Sequence, residues 1–286
     1  MTPPIIGTLS DLRAATRAWH EAGEVIGVVP TMGALHDGHL SLVAAAKAVC
    51  DRVIVTIFVN PKQFNQASDL DNYPRTEEED ARKLARFDVD AVYVPGVDQI
   101  YPEGFSTNIS VAGMTNALCG AHRPGHFDGV ATVVTKLFIQ TSADKAFFGE
   151  KDYQQLMVVT RLAKDLDLGV EVVGCPTIRE EDGLAMSSRN LLLSDRARIH
   201  APRLYELMEE TVSALERGAS FADVQRDATA KLGSAGFTKV DYFELRSQSG
   251  LVWLDRPSEP CRLFAAAWLA GVRLIDNIYV PEMSSA

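Results

Sequence analysis

The chain has 286 residues, a formal net charge of −10 and 47% hydrophobic residues. This length accommodates two domains of about 100–200 residues each. The acidic balance argues against a broad nucleic-acid-binding surface, whose affinity rests on many Lys and Arg side chains. No apolar run approaches the roughly 18 residues of a membrane span, and the first residues lack the basic head and apolar block of a signal peptide, so we expect a cytoplasmic protein that contacts no membrane. The four cysteines form no CxxC pair and are predicted to be reduced, buried thiols.

Apolar runs alternate with amphipathic stretches over roughly the first 175 residues. The predicted strands are residues 25–29, 53–59, 91–94, 145–148 and 170–173, and the predicted helices are residues 39–50, 76–87, 130–140 and 153–167. Short buried strands that alternate with helices predict an α/β fold with a Rossmann-like, doubly wound parallel sheet. Such sheets bind ligands at the carboxyl ends of their strands, where the strand order switches.

The segment from residue 101 to residue 129 interrupts this alternation. It is rich in Gly, Asn and Thr, and it carries Arg123 and His126. We predict a long loop here, and loops of this length in a compact domain are usually functional or disordered.

The pattern changes after Pro176. Helical periodicity predicts helices at residues 194–217 and 221–233, with Ser194 as the N-cap of the first, and strand-like runs follow at residues 240–245, 262–269 and 272–280. Helices followed by an antiparallel meander indicate a smaller C-terminal α+β domain. The boundary falls between residues 176 and 186, and we expect domains at residues 1–178 and 179–286, the second closing over the site of the first.

The first candidate site segment is PTMGALHDGH, at residues 30–39. A predicted strand ends, a turn that contains glycine follows, and a helix is expected to begin at His39. Helix N-termini present N–H groups and a partial positive charge that suit phosphate. His36 and His39 can donate to phosphate oxygens, and Gly38 lets the backbone approach a ligand closely.

Two further segments offer cations for a nucleotide. FGEKDYQQ follows a predicted strand and opens a helix, which makes Lys151 a candidate for phosphate binding and places Gln155 one turn beyond it. AMSSRN places Ser187, Ser188 and Arg189 in what we expect to be a mobile interdomain loop, and Arg binds phosphate oxygens in a bidentate manner.

A fourth segment, FVNPKQF, also follows a strand end. Asn60 and Gln63 offer neutral donors and acceptors that suit a hydroxy acid. Each segment also has a structural explanation, as a surface turn, a solvated helix start or an ordinary linker. Their shared position at strand ends or at the domain boundary favours a binding site.

With these residues in view, the chain resembles the pantothenate synthetases, a family of the HxGH nucleotidyltransferase superfamily. The segments VPTMGALHDGHLSLV, FVNPKQF, DLDNYPRT, RPGHFDGV, FFGEKDYQQL and AMSSRN occur in that family's order and span nearly the full chain. PTMGxLHxGH together with GEKDxQQ is specific to the family, whereas HxGH alone indicates only the superfamily.

The resemblance implies a ligase with a two-step reaction. ATP and (R)-pantoate form pantoyl adenylate and pyrophosphate with Mg²⁺, and β-alanine then displaces AMP to give pantothenate. His36, His39, Lys151 and Arg189 are the implied catalytic residues, with His39 matching the family's proton donor. It also implies a homodimer, small-molecule substrates and no nucleic-acid partner.

The resemblance also assigns binding residues. The implied ATP-binding residues are Met32, Gly33, Ala34, Leu35, His36, Asp37, Gly38, His39, Gly149, Glu150, Lys151, Asp152, Ile178, Met186, Ser187, Ser188 and Arg189. The residues expected to bind pantoate or β-alanine are Gln63, Gln155, Asn60, Arg123 and His126, and Asp80 is the expected metal ligand. The acidic run that contains Asp80 also fits a solvated helix start.

One residue departs from the family pattern. Many relatives have an uncharged residue where this chain has Lys62, whose side chain we expect to point away from the pantoate pocket.

Two other functions stay open. Another HxGH nucleotidyltransferase, acting on a phosphorylated substrate, would need more basic residues around its acceptor. A catalytically silent nucleotide-binding protein would not need the full set of His36, His39, Lys151 and Arg189.

Overall fold

Parallel strands form the larger of two sheets in the computed structural model, which describes residues 2–64, 70 and 76–283. Within these residues the sheet has the order β1-β4-β3-β2-β5-β6, and all five pairings are parallel. Its strands are Ile5–Ile6 (β1), Ile26–Thr31 (β2), Arg52–Ile57 (β3), Ala91–Tyr93 (β4), Lys145–Gly149 (β5) and Glu171–Cys175 (β6). The predicted doubly wound sheet is confirmed. Most of the DLDNYPRT segment lies outside the described residues.

The described helices that accompany this sheet are Leu9–Glu21 (α1), Asp37–Val49 (α2), Glu77–Leu84 (α3), Val97–Ile100 (α4), Leu118–His122 (α5), His126–Thr141 (α6) and Tyr153–Asp165 (α7). Short 3-10 turns occur at Pro61–Gln63, Ala85–Phe87, Met114–Asn116 and Glu150–Asp152. None of these helices has the length and apolar character needed to cross a membrane.

The sequence prediction differs from the structure at several of these helices. The helix expected from residue 39 begins at Asp37, and the predicted long loop contains α5 and ends where His126 opens α6. Helix α1 was not predicted; the Oγ1 of Thr8 caps it by accepting from the N–H of Asp11, 3.2 Å away.

The strand order switches next to β2. From β2 the chain moves outward through β3 to β4, and it then returns to place β5 on the other side of β2. Val28 pairs with Ile54 on one side and with Ala146 on the other. The loops that follow β2 and β5 therefore leave the sheet on either side of the switch point, where open α/β sheets bind their ligands.

Aliphatic side chains on both faces of the central strands explain why this sheet is buried. Val29, Val53 and Val55 are fully buried and share one cluster with Val43 of α2 and Leu84 of α3. A parallel strand covered on both faces reads as a continuous apolar run, which is why β2 and β3 were predictable from sequence. The four cysteines are all buried thiols, as predicted.

The chain divides into two compact units. The first contains Met1–Glu150 and Gln154–Pro176, and the second contains Lys151–Tyr153 and Thr177–Ala286. The short segment Lys151–Tyr153 thus belongs with the second unit, which the sequence did not predict. The domain limits drawn from the sequence stay a prediction.

The described part of the second unit combines helices with a three-stranded antiparallel sheet. Its helices are Asp195–His200 (α8), Arg203–Glu216 (α9) and Phe221–Ser234 (α10), and its strands are Phe237–Ser247 (β7), Cys261–Leu269 (β8) and Val272–Val280 (β9). The strands pair in the order β7-β8-β9, so the predicted meander is confirmed. The single helix predicted at residues 194–217 is two helices, because Pro202 between them has no N–H to donate. Ser194 is the N-cap, as predicted.

An ion pair in this sheet gives a first testable prediction. The Asp241 carboxylate is 2% exposed and lies 2.7 Å from Nε of Arg273 and 2.8 Å from Nζ of Lys239. Burial opposes its ionisation, but hydrogen bonds from Lys239 and Arg273 outweigh burial and lower the pKa of Asp241 from 3.8 to about 2. Because the folded-state pKa is lowered, the stabilisation is present above about pH 4 and is lost as the pH falls towards 2.

We expect Asp241→Asn to lower the free energy of unfolding at neutral pH by about 2 kcal/mol, and to flatten its pH dependence between about pH 4 and 2. Urea unfolding followed at several pH values measures both effects. Asp223→Asn is the matched control, because Asp223 is 69% exposed in its pair with Arg226 and should change stability little. Equal losses in the two variants would contradict the prediction.

Candidate active site

The loop after β2 leaves the sheet through two residues in the left-handed conformation. Gly33 has φ 81° and Ala34 has φ 49°. A Cβ on Gly33 would lie 3.2 Å from Oδ2 of Asp80 and 3.2 Å from Cγ2 of Ile57, so glycine suits this position in both space and backbone angle. Ala34 has no such freedom, and its conformation costs about 1–2 kcal/mol. Surrounding contacts must therefore hold this turn.

Asp80 in α3 supplies those contacts. Its side chain is fully buried, and its two oxygens accept from the N–H groups of Ala34 at 2.9 Å and Leu35 at 2.8 Å. The hydroxyl of Thr76 donates to the same carboxylate at 3.1 Å. Lys83, one turn further along α3, donates to the carbonyl of Leu35 at 2.7 Å. Two residues of α3 thus stabilise the turn that leads into α2.

These contacts give Asp80 a structural role, and the metal-ligand role expected for it from the sequence stays a prediction. N–H groups donate to both carboxylate oxygens, which reduces the number of lone pairs left for a cation. No group of three or more His, Cys, Asp or Glu side chains that would hold a metal ion is found in the part of the chain that the structure describes. The acidic run therefore has an inward-facing member that supports the backbone.

The two signature histidines lie at the start of α2. His36 precedes the helix in extended backbone, with φ −128° and ψ 174°, and His39 lies in the first turn. Nδ1 of His39 accepts from the N–H of His36 at 3.4 Å, and the two ring centroids are 4.1 Å apart. The imidazoles therefore lie together at a helix N-terminus beside the strand-order switch, a position that favours an anionic group.

Gln63 connects the loop after β3 with the loop after β2. Its Nε2 donates to Sδ of Met32 at 3.0 Å, and its Oε1 accepts from Nδ2 of Asn60 at 3.0 Å. Thioether sulfur is a weak acceptor, so a substrate oxygen can replace Met32 as the partner of this amide. The structure thus brings Gln63 next to the PTMG segment, as its strand-end position suggested.

Asn60 has a different place from the one expected. It is 1% exposed, and its Oδ1 accepts from the N–H of Lys62 at 3.3 Å and from the hydroxyl of Tyr101 at 2.8 Å. Its Nδ2 also donates to the carbonyl of Gly129 at 3.0 Å. A backbone N–H can only donate and a carbonyl can only accept, so these two partners fix the orientation of the Asn60 amide. Asn60 therefore supports Gln63 and has little capacity left for a ligand.

Arg123 and His126 hold the main chain of Gln63. The Gln63 carbonyl accepts from Nδ1 of His126 at 2.9 Å and from Nη2 of Arg123 at 3.3 Å. Nη1 of Arg123 lies 3.1 Å from Nε2 of His126. Because Arg can only donate, His126 accepts at Nε2 and carries its proton at Nδ1. Both residues touch the glutamine at its backbone, while Asn60 holds its side chain.

Lys62 turns towards two aromatic rings. Its Nζ lies 4.7 Å from the ring centroid of Tyr101 and 4.6 Å from that of Phe105. Such distances are typical of cation–π contacts.

The neighbouring glutamines at the start of α7 differ in environment. Gln154 is 5% exposed; its Oε1 accepts from the N–H of Cys119 at 2.9 Å, and its Nε2 donates to the carbonyls of Met114 and Ala117, both at 2.8 Å. Gln155, the predicted ligand-binding residue, is only partly buried. The sequence has no signal for the structural role of Gln154, because only the fold distinguishes the buried glutamine of this pair from its neighbour.

Lys151 precedes helix α7. It lies in the 3-10 turn Glu150–Asp152, whereas Gln155 lies in α7. The sequence had suggested that both lie on one helix, with Gln155 one turn beyond Lys151. The Lys151 side chain is 17% exposed, and its Nζ lies 3.7 Å from Oδ2 of Asp152. One carboxylate at that distance leaves an ammonium with further donors for an anion.

Residues 178–190 form a turn braced by hydrogen bonds, and the mobility expected of the AMSSRN loop stays a prediction. The N–H of Met186 donates to the carbonyl of Ile178 at 3.0 Å, so these two predicted ATP-binding residues are adjacent. Asn190 donates to Oε1 of Glu180 at 2.7 Å. The N–H of Arg189 donates to Oγ of Ser187 at 3.3 Å, which caps the 3-10 turn Ser188–Leu192.

The candidate residues therefore fall into two groups. In the first unit, the structure joins Gln63 to the 32–39 segment and surrounds it with Asn60, Arg123 and His126. In the second unit, Lys151 and Asp152 form one segment, and Ile178 with residues 186–189 forms another. Asp80 belongs with the first group as a support.

Comparison with known proteins identifies the family. A family model described as pantoate-beta-alanine ligase matches residues 4–279. A pantothenate synthetase from Roseobacter denitrificans is 78% identical over 281 residues, which cover 98% of this chain and 99% of the relative.

Two solved structures agree over nearly the whole chain. The pantothenate synthetase from Thermus thermophilus is 43% identical with a TM-score of 0.91, covering 97% of this chain and 99% of that one. The pantoate-beta-alanine ligase from Francisella tularensis, complexed with beta-gamma ATP and β-alanine, is 37% identical with a TM-score of 0.83 and 97% coverage of both chains. The strand-end histidines, the Gln63 cluster and the braced 178–190 turn thus occur in a chain that matches one enzyme family from end to end, and this chain belongs to the pantoate–β-alanine ligases.

Proposed function

We propose that this chain condenses (R)-pantoate with β-alanine in an ATP-dependent reaction that proceeds through pantoyl adenylate and releases AMP and pyrophosphate. The position of His36 and His39 at a helix start beside the strand-order switch carries the proposal, because that position suits a nucleotide's phosphates. The Francisella tularensis relative in complex with beta-gamma ATP and β-alanine supports the choice of substrates.

The first step makes an inert carboxylate reactive. A carboxylate oxygen of pantoate attacks the α-phosphorus of ATP in line with the departing pyrophosphate, which forms one P–O bond and breaks another. The protein contributes placement and charge neutralisation. We assign the phosphates to His36, His39, Lys151 and Arg189, and we assign pantoate to Gln63 and Gln155.

The second step forms the amide. The neutral amine of β-alanine attacks the acyl carbon of the adenylate, AMP departs, and the amine loses a proton. The anhydride is already activated, so positioning and exclusion of water are sufficient for this step. Magnesium belongs to the proposal as part of the MgATP substrate, where it neutralises phosphate charge.

Isotope exchange tests the proposal. Labelled pyrophosphate should enter ATP only when pantoate is present, and pantothenate and AMP should appear in equal amounts once β-alanine is added. Binding of ATP without exchange would instead identify a silent nucleotide-binding protein. A substrate other than pantoate that alone supports exchange would identify a different nucleotidyltransferase.

The cation–π contacts of Lys62 give a further prediction. Lys62→Met should lower the free energy of unfolding by about 0.5–2 kcal/mol through loss of its contacts with Tyr101 and Phe105. The KM for pantoate should stay within about threefold of the original value, because the side chain lies on those rings rather than on Gln63. Steady-state kinetics at varied pantoate concentration measure the second effect. A large rise in KM for pantoate would place the ammonium in the acid's pocket.

A cytoplasmic location, expected from the sequence pattern, and a homodimer, which the family resemblance implies, complete the proposal. Light scattering coupled to size-exclusion chromatography tests the dimer, since a mass near that of one chain would contradict it.

A further inference from the structure

Two consecutive polar residues interrupt the apolar strand β9. Asp276 and Asn277 are 4% and 2% exposed. The Asp276 carboxylate and the Asn277 backbone are joined directly, because Oδ1 of Asp276 accepts from the N–H of Asn277 at 2.7 Å. Successive side chains of a strand point to opposite faces of its sheet, so this pair reaches two different surroundings.

Asp276 is paired with the segment that contains Ile178 and Met186. Nη1 and Nη2 of Arg179 donate to the two carboxylate oxygens at 2.6 and 3.0 Å. Nη1 of Arg179 also donates to the carbonyl of Gly183 at 3.0 Å, and its guanidinium stacks 3.7 Å from the ring centroid of Tyr205. Arg179 is therefore held on several sides, and the residues on either side of it in the chain are held with it.

Asn277 is bonded to the segment that contains Lys151. Its Nδ2 donates to the Lys151 carbonyl at 2.9 Å, and its Oδ1 accepts from Nε of Arg262. Arg262 can only donate and a carbonyl can only accept, so the orientation of this amide is set by its two partners. The guanidinium of Arg262 in turn lies 4.4 Å from the ring centroid of Tyr153. The main chain at Lys151 and the side chain two residues later are both held.

We propose that Asp276 and Asn277 are positioning residues that hold Lys151 and the 178–190 segment at a fixed separation for the phosphates and base of ATP. This inference rests on the proposed function and adds to it a part for the C-terminal strand. The physical reason is that one pair of adjacent strand residues is bonded to the Lys151 carbonyl and to Arg179. Arg179 follows Ile178, whose carbonyl accepts from the N–H of Met186.

Stability alone is a weak explanation for this arrangement. A buried ion pair is often no more stabilising than apolar residues of similar volume, because removing two charges from water is costly. The same sheet already has a comparable pair, Asp241 with Arg273, whose carboxylate is 2% exposed. The Asp276–Asn277 pair differs from it in being bonded to two nucleotide-binding segments, so the two pairs can be compared directly.

Three isosteric variants test the proposal. Asn277→Asp keeps the acceptor for Arg262 and removes the donor to the Lys151 carbonyl, whereas Asp276→Asn removes the bidentate acceptor for Arg179. Asp241→Asn is the matched control. Pantoate-dependent pyrophosphate exchange is measured at varied ATP and at varied pantoate, thermal unfolding of each variant is recorded, and ATP binding is measured by calorimetry.

We expect kcat/KM for ATP to fall about 10–100-fold in Asn277→Asp and in Asp276→Asn, because small misplacements of catalytic groups have effects of that size. The KM for pantoate should change by less than about twofold, and Asp241→Asn should lose stability while its exchange kinetics stay within about twofold. Exchange kinetics close to the original in Asn277→Asp would overturn the inference, as would an equal loss in Asp241→Asn. Should Asp276→Asn fail to fold, Asn277→Asp decides the matter, because its contact with Arg262 remains.

The unmodified enzyme separates this inference from the proposed function. If it shows no exchange at all, the proposed function fails, and calorimetry still tests the positioning role, since Asn277→Asp should then bind ATP about tenfold more weakly than the unmodified chain. Equal ATP affinity in the two proteins would overturn the inference in that case.

Discussion

Replacement of Lys151 by alanine is expected to lower kcat about 10²–10³-fold while the protein remains folded. The loss of one preorganised cation at a developing phosphate charge costs about 2.7–4 kcal/mol, by analogy with single oxyanion-hole donors. The Nζ of Lys151 lies 3.7 Å from the half-exposed carboxylate of Asp152, so loss of this ion pair should have little effect on stability. Pyrophosphate exchange at saturating ATP and pantoate measures the change.

Lys164→Ala is the matched control for this experiment, because Lys164 is an exposed lysine further along α7. Its turnover should be unchanged. His39→Ala and Arg189→Ala are expected to lose about as much as Lys151→Ala. Near-normal turnover in two of these three alanine variants would contradict the assignment of the phosphate-binding residues.

Asp80→Ala should have a large effect on both stability and activity. It leaves the buried N–H groups of Ala34 and Leu35 without their acceptor, and each such group costs about 1–3 kcal/mol. We therefore expect the free energy of unfolding to fall by about 2–6 kcal/mol. Release of the left-handed turn should also move His36 and His39 and lower kcat about 10²-fold. Urea unfolding and exchange kinetics measure the two losses.

Asp80→Asn and Glu78→Ala make this experiment specific. Asp80→Asn keeps one acceptor oxygen and should be intermediate, whereas Glu78, an exposed residue of the same helix, should be replaceable without loss. The Mg²⁺ concentration for half-maximal activity should be the same in Asp80→Asn and the unmodified enzyme. A clear rise in that concentration would support the metal-ligand role expected from the sequence.

The parallel sheet was predictable because the burial of each strand shows in the strand's own residues. Strands β2 and β3 are covered on both faces and read as uninterrupted apolar runs, and β7 to β9 read as a meander of strand-like runs. Strand β1 has two residues, Ile5–Ile6, too few for any periodicity. Helix α1 follows it, with Leu12 and Thr16 buried at helical spacing, so this helix was predictable from the sequence although it was missed.

The prediction of the site from the sequence was limited for a different reason. An acidic run such as residues 77–80 looks like a solvated helix start, and only the three-dimensional fold shows that Asp80 points inwards. Asn60, Arg123 and His126 were selected for the right neighbourhood, but their contacts with Gln63 depend on side-chain directions that a sequence does not specify. Pro202 was a visible signal for the break between α8 and α9. Asp276 and Asn277 also stand out in the sequence, as two polar residues in an apolar strand.

The grouping of Lys151–Tyr153 with the C-terminal unit restricts how this enzyme can be recombined. A chimera that exchanges everything after residue 176 between two relatives would combine the Lys151–Tyr153 segment of one parent with the rest of the C-terminal unit of the other. Compatible hybrids should therefore take Lys151–Tyr153 and strand β9 from the same parent. The two compact units are therefore not two continuous stretches of chain that can be exchanged by a single crossover.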